Sequence, residues 1–233
     1  MSKKTPQQTQ WHAFADTATL QHTVLARLQQ YAQEAILQRG RFDLVLAGGT
    51  TPQAIYRECR HIATDWSCWH LYFGDERCLP PDHPERNSRM ALDAWLAHVP
   101  IPANQIHAIP AELGATAAAQ AYGDALQAVG DFDFVLLGLG EDGHTASLFP
   151  GHSWGDTDES PDVLAVFDAP KPPPERVSLS ARRLSRARKV AFVVTGQGKR
   201  DAVAAWRAGQ QIPAHSISPA DAVDIFFEAS LLA

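Results

Sequence analysis

The stretch FDFVLLGLGEDGHTASLFPG, Phe132 to Gly151, decides how the chain is read. A mostly apolar run, Phe132–Leu137, leads into Gly138, Gly140 and Gly143, which spell G-x-G-x-x-G. Two readings compete. In a dinucleotide-binding turn the third glycine opens a long helix that holds a pyrophosphate, and an acid ends the next strand. Asp168 lies at a compatible distance. The helix would, however, meet Pro150-Gly151 within about two turns, and that pair breaks helices. The motif also sits in the second half of the chain, not at its first strand-to-helix turn. The alternative is a glycine-rich loop at the carboxyl edge of a parallel sheet, where open α/β sheets bind ligands. It would present His144 beside Asp142. An imidazole titrates near neutrality and suits water activation, and a carboxylate two residues away can fix its tautomer. An isolated D-x-H is more simply a surface histidine beside a turn-capping Asp. The position directly after a buried strand favours the loop that presents His144.

Outward from this stretch, buried-strand runs alternate with helical patterns, the signature of an α/β fold with a mostly parallel, Rossmann-like open sheet flanked by helices. Asp16 can cap a helix whose apolar stripe is Leu20, Val24, Leu28, Ala32 and Ile36, with Gly40 as its stop. Strands are expected at Phe42–Ala47, His70–Phe73, Ile106–Ile109 and Phe132–Leu137, with a helix in ATAAAQAYGDALQAV. RVSLS and KVAFVV read as two further strands around a short turn. The stretch 151–175 is rich in Gly, Pro, Ser and Asp. It reads as a turn-rich loop inside one domain covering 1–233, because strand patterns resume after it.

A net charge of −6 argues against a nucleic-acid or anionic-membrane partner, both of which want a basic face. No apolar run approaches the length of a membrane span, and the N-terminus has no signal-peptide core. Cys59, Cys68 and Cys78 form no C-x-x-C pair, as expected of reduced thiols in a cytoplasmic protein. His83 and His152 lie in loops without metal-ligand spacing, and His215 reads as structural. No metal site is expected.

Two more stretches carry chemistry. In LVLAGGTTPQAIY a strand runs through Gly48-Gly49, Thr50 and Thr51 into a helix started by Pro52. Backbone N–H groups and hydroxyls there make an anion site. No lysine follows at Walker spacing, so a single phosphate on a small molecule suits it better than a nucleoside triphosphate. In YFGDERCLPPDHPERNS, Asp75, Glu76 and Arg77 fall just past a strand end. A fixed arginine there can stabilise an oxyanion, or hold a phosphate or carboxylate. Asn87-Ser88 reads as the N-cap of the next helix. Arg176 and Lys199 recur near later strand ends, where either can join a shared anion site.

Taken in order, LAGGTTPQAIY, FGDERCLPPDHPERNS, LLGLGEDGHTASLFPG, PPPERVSLS and VTGQGK resemble the 6-phosphogluconolactonases from about Leu46 to Lys199. The resemblance implies a fold related to the hexosamine-phosphate isomerases and hydrolysis of 6-phospho-D-glucono-1,5-lactone in the oxidative pentose phosphate pathway, without metal or cofactor. It implies His144 as general base with Asp142 beside it, and Arg77 at the carbonyl oxygen. Asp75 belongs to the same site, with its role open. Gly49, Thr50, Thr51, Arg176 and Lys199 are implied as phosphate ligands. The partner implied is a phosphorylated sugar lactone, with no nucleic acid and no membrane, and the chain is expected to be a monomer or weak homo-oligomer. Where the related glucosamine-6-phosphate deaminases carry Asn-Glu-Pro, this chain has Leu148, Phe149 and Pro150, and Thr50 stands where the lactonases commonly have Ser. A sugar-phosphate sensor of the same fold would bring a DNA-binding segment, and the first 40 residues hold no helix-turn-helix pattern.

Overall fold

The computed structural model describes residues 7–232. Strand β1 (Thr9–Phe14) leads into α1 (Thr17–Arg39), β2 (Phe42–Leu46), α2 (Thr50–Cys59) and β3 (Trp69–Phe73). Next come β4 (Asp75–Arg77), α3 (Asn87–Ala94), β5 (Ile106–His107), α4 (Ala115–Leu126) and β6 (Phe132–Gly138). The last third holds β7 (Val163–Val166), β8 (Arg176–Leu179), α5 (Ala181–Ser185), β9 (Ala187–Val194), α6 (Arg200–Arg207) and β10 (Val223–Glu228).

Seven strands form one sheet in the order β1-β10-β9-β6-β2-β3-β5, and every neighbouring pair is parallel. The apolar runs explain the central strands. Leu44, Val45, Phe134 and Val135 are at most 1% exposed, as strands covered on both faces require. From β2 the chain steps outward through β3 to β5, whereas β6 steps the other way to β9 and β10. The switch in direction therefore lies between β2 and β6, and their carboxyl ends frame the crevice where such sheets bind ligands.

Helix α1 begins as expected, with the Asp16 Oδ1 accepting from the Thr19 N–H at 2.8 Å, and stops at Gly40, whose φ of 69° suits glycine. Its buried stripe is Leu20, Val24, Leu28, Ala32 and Ala35, not Ile36. Each i+4 step overshoots a 3.6-residue turn by about 40°, so the fifth buried position falls one residue early. The strand expected over Ile106–Ile109 is only Ile106–His107, an edge pair ahead of Pro110.

Beside the large sheet lies a three-stranded antiparallel one, β4-β8-β7. The Asp-Glu-Arg run is itself a strand: Asp75 pairs with Ser178, Glu76 with Val177 and Arg77 with Arg176. RVSLS therefore leaves the main sheet, and the turn expected between it and the next strand is the short helix α5. Within 151–175, β7 pairs with β8. Its VLAV run is apolar enough to cover Phe149 and Ala169, so turn residues flank a strand there.

Candidate active site

A cavity of about 440 Å³ opens at the switch point. Its walls come from the Gly48-Gly49 turn after β2, from β4, from the loop after β6, from Lys171-Pro172, and from Arg176 and Lys199. This volume suits a small-molecule ligand.

No helix follows Gly143; the chain turns through His144–Gly151 and the next regular element is β7. The glycines serve the histidine. A Cβ on Gly140 would lie 2.0 Å from His144 Nδ1, so only glycine lets the ring settle against this backbone. Gly143 sits at φ +83° with Ile212 close against it. The ring is held from several sides: Nδ1 lies 2.5 Å from Asp142 Oδ1, the Phe149 ring is 4.9 Å away between centroids, and the His144 carbonyl accepts from the Gly140 N–H at 2.7 Å. Burial raises the Asp142 pKa, but the hydrogen bond and charge of His144 outweigh it, so the net shift is downward. Asp142 thus stays ionised to lower pH than a free aspartate, and its hold on His144 is lost only as pH falls through that depressed value. With Nδ1–H donating to a carboxylate, Nε2 is left as the acceptor.

Of the residues expected at the site, Asp75, Arg77, His144, Gly49, Arg176 and Lys199 all line the cavity, and Asp142 reaches it through His144. Thr50 and Thr51 do not line it. They form the first turn of α2, where the Thr51 hydroxyl pairs with that of Thr195 at 2.6 Å. Most of the Arg176 guanidinium is engaged with the proline loop. Nη2 donates to the Lys171 carbonyl at 2.9 Å and the Pro172 carbonyl at 3.3 Å, and Nε to the Pro173 carbonyl at 3.2 Å. Burial lowers the pKa of Arg176, with Asp75 opposing and Arg77 adding to the fall. Lys199 is lowered too, by burial first, with Glu141 opposing and Lys171 adding to it.

Sequence reading left Lys171, Asn87 and Phe149 out of the site, although all three line the cavity. A lysine in a proline-rich loop carries no signal of its own. Asn87 starts α3 but is not its cap, because the carboxylate of Glu76 takes that part. Glu76 accepts from the N–H groups of Arg77, Asn87 and Ser88 and from the Ser88 hydroxyl, at 2.7–2.9 Å. It is wholly buried, and Arg86, 3% exposed, lies 3.4 Å away and ties on to Glu112. One carboxylate thus holds both the backbone of Arg77 and the start of α3. Removing one member of a buried pair strands the other, so Glu76→Ala should cost about 3–5 kcal/mol in chemical denaturation. A loss below about 1 kcal/mol would show that the anchor is dispensable.

Comparison with known proteins places these features in company. Residues 15–226 match the family described as glucosamine-6-phosphate isomerases/6-phosphogluconolactonase. A 6-phosphogluconolactonase of Mycobacterium leprae is 38% identical over 226 residues, covering 91% of this chain and 90% of that protein. A probable chloroplastic 6-phosphogluconolactonase of Oryza sativa subsp. indica is 40% identical over 194 residues, 73% of this chain; the match spans 57% of the rice protein's own length. Among solved structures, a 6-phosphogluconolactonase from Thermotoga maritima superposes with a TM-score of 0.87 at 24% identity, over 94% of this chain and 99% of that one. At that identity the superposition speaks for the fold. No helix among the described residues is long and apolar enough to cross a membrane.

Proposed function

The chain belongs to the glucosamine-6-phosphate isomerase/6-phosphogluconolactonase family, and on that footing we propose that it hydrolyses 6-phospho-D-glucono-1,5-lactone to 6-phosphogluconate. The observation that carries this reading is a histidine with Nδ1 already tied to Asp142, facing the same cavity as Arg77 and a cationic far end.

In the proposed mechanism, His144 Nε2 takes a proton from water as the water oxygen attacks the lactone carbonyl carbon. Asp142 stabilises the imidazolium that forms. Negative charge gathers on the former carbonyl oxygen, where the Arg77 guanidinium meets it. Arg77 is fixed for this: Nη1 donates to the Glu85 carbonyl and its backbone N–H is held by Glu76. When the ring C–O bond breaks, the proton on Nε2 passes to the departing ring oxygen, and the new carboxylic acid ionises. Lys171, Arg176, Lys199 and the backbone at Gly49 hold the phosphate, flanked by Thr50 and Thr51 at the start of α2. The grip on this non-reacting end positions the carbonyl.

Family membership alone leaves the deaminase reading open. The deaminases, by resemblance, use a glutamate where this chain has Phe149, and here the Phe149 ring lies against His144. A phenyl ring cannot accept a proton or supply a carboxylate's negative charge, so the partner on which the deaminase histidine relies is missing here. A role in the oxidative pentose phosphate pathway, a cytoplasmic location, and a single domain acting as a monomer or weak homo-oligomer belong to the same proposal.

The test is the opening rate of freshly generated lactone with and without protein near neutral pH, with ammonia release from glucosamine 6-phosphate followed in parallel. Lactone loss proportional to protein, without ammonia, is expected. Folded protein that leaves the spontaneous rate unchanged would sink the lactonase, and ammonia in that sample would establish the deaminase.

A further inference from the structure

The wall between the Gly48 turn and β4 has a chemistry that the proposed hydrolysis does not use. Asn87 forms part of it and is 4% exposed. Its Nδ2 donates to the Asp75 carbonyl oxygen and to Asp75 Oδ1, both at 2.9 Å. These two acceptors use both amide hydrogens, so the side chain cannot be turned over: a flipped amide would set oxygen against two oxygens. Asn87 Oδ1 therefore points away from Asp75 and has no protein partner among the described residues. It lies over Gly48, where an added Cβ would come within 2.1 Å of it. Glycine at 48 keeps that oxygen uncovered.

Asp75 extends the same strip. It is 6% exposed; Oδ1 takes the Asn87 amide and Oδ2 takes the Ser147 hydroxyl at 2.6 Å. Each carboxylate oxygen still has a lone pair to offer. The side chains of this strip thus present acceptors only. An acceptor in a nearly buried wall is costly to leave unmatched, so it selects for a donor. A phosphorylated aldonolactone has donors of one kind, its ring hydroxyls. The phosphate dianion, the carbonyl oxygen and the ring oxygen all accept.

We propose that Asn87 is a specificity-determining residue whose Oδ1, alongside Asp75, accepts a hydrogen bond from a ring hydroxyl of the sugar. The identity of that sugar as an aldonolactone rests on the lactonase reading above; the matching of acceptors to hydroxyls does not. A site built to bond a hydroxyl penalises the analogue that lacks it, because the buried acceptor is then left unmatched.

The decisive experiment compares the parent lactone 6-phosphate with its 2-deoxy, 3-deoxy and 4-deoxy counterparts, in the wild type and in Asn87→Ala. In the wild type at least one deoxy compound should lose about 30-fold in kcat/KM, the size set by one unmatched neutral acceptor. In Asn87→Ala that ratio should collapse to within about threefold. A purely structural role would lower all four substrates by a common factor and leave the ratio intact, which would overturn the proposal. Asn87→Ser, which keeps one donor to Asp75, replaces the alanine variant if that one fails to fold, with the same collapse expected. Calorimetric binding of 6-phosphogluconate, the open-chain acid that keeps the 2-, 3- and 4-hydroxyls, and of its deoxy counterparts reads the same discrimination without turnover. A wild type that discriminates in binding but opens no lactone would sink the lactonase and keep this inference. Equal binding of all four acids, or none, would remove it.

Discussion

Replacing His144 with alanine is expected to lower kcat by about 10²–10⁴-fold while 6-phosphogluconate still binds within a few-fold of the wild-type affinity. The split follows from where the residue sits. His144 lines the cavity and anchors Nδ1 on Asp142, whereas the cations proposed to meet the phosphate, Lys171, Arg176 and Lys199, stand elsewhere in its wall. Loss of the imidazole therefore removes proton transfer and leaves the grip on the far end in place. Steady-state kinetics with calorimetry on the same preparation reads both. Unchanged turnover would end the assignment of His144 as the base. Parallel losses of binding and turnover would instead make it a binding residue.

Gly140→Ala should come close to the same defect, about 100-fold in kcat, without removing any reactive group. The added methyl would stand 2.0 Å from His144 Nδ1, 2.2 Å from Cε1 and 2.6 Å from Cγ. The ring has little room to give way. Asp142 holds one nitrogen at 2.5 Å and Phe149 packs against the ring. To escape, the imidazole must swing off its carboxylate, which releases the tautomer and moves Nε2 away from the reacting carbon. The cost in stability should stay near 1–3 kcal/mol, as for other overpacked sites, so a folded protein with a modestly lowered melting temperature is expected. Turnover within threefold of wild type would mean that the ring tolerates displacement and that its placement matters less than its presence.

These two variants also explain why the glycine motif misleads. Its spacing matches a dinucleotide fingerprint, but Gly140 makes room for an imidazole and not for a pyrophosphate. Gly143 adopts a left-handed turn against Ile212 and opens no helix. Spacing alone cannot separate these uses, because glycine answers any demand for a close approach. The Pro150-Gly151 break was the local clue, and it pointed the right way.

Elsewhere legibility followed the range of the interaction. The Asp16 cap, the Gly40 stop and the buried runs of β2 and β6 depend on neighbours a few residues away, and all could be read from the chain. Asp75, Arg77, His144, Arg176 and Lys199 were likewise singled out as residue types near strand ends, and all of them line one cavity. What the stretches could not reveal was how each side chain is occupied. The Thr51 hydroxyl is paired with Thr195, 144 residues along the chain. Most of the Arg176 fork is taken by three carbonyls of its own loop. Asn87, which resembles a helix cap, leaves that task to Glu76 and turns its amide on to Asp75.

The sequence by itself determined the alternation of strands and helices, the ends of the first helix, and which stretches carry the candidate site residues. Periodicity, capping and turn chemistry are local, and they act before distant parts of the chain meet. Only the tertiary structure decided that the Asp-Glu-Arg run is a strand of a second sheet, that Lys171 joins the cavity, and that Asn87 lines it with its amide hydrogens tied to Asp75. Each of these depends on pairing or hydrogen bonding between segments far apart in the chain. A polar side chain has several partners it could satisfy equally well, and the choice falls to whichever one the fold brings within reach.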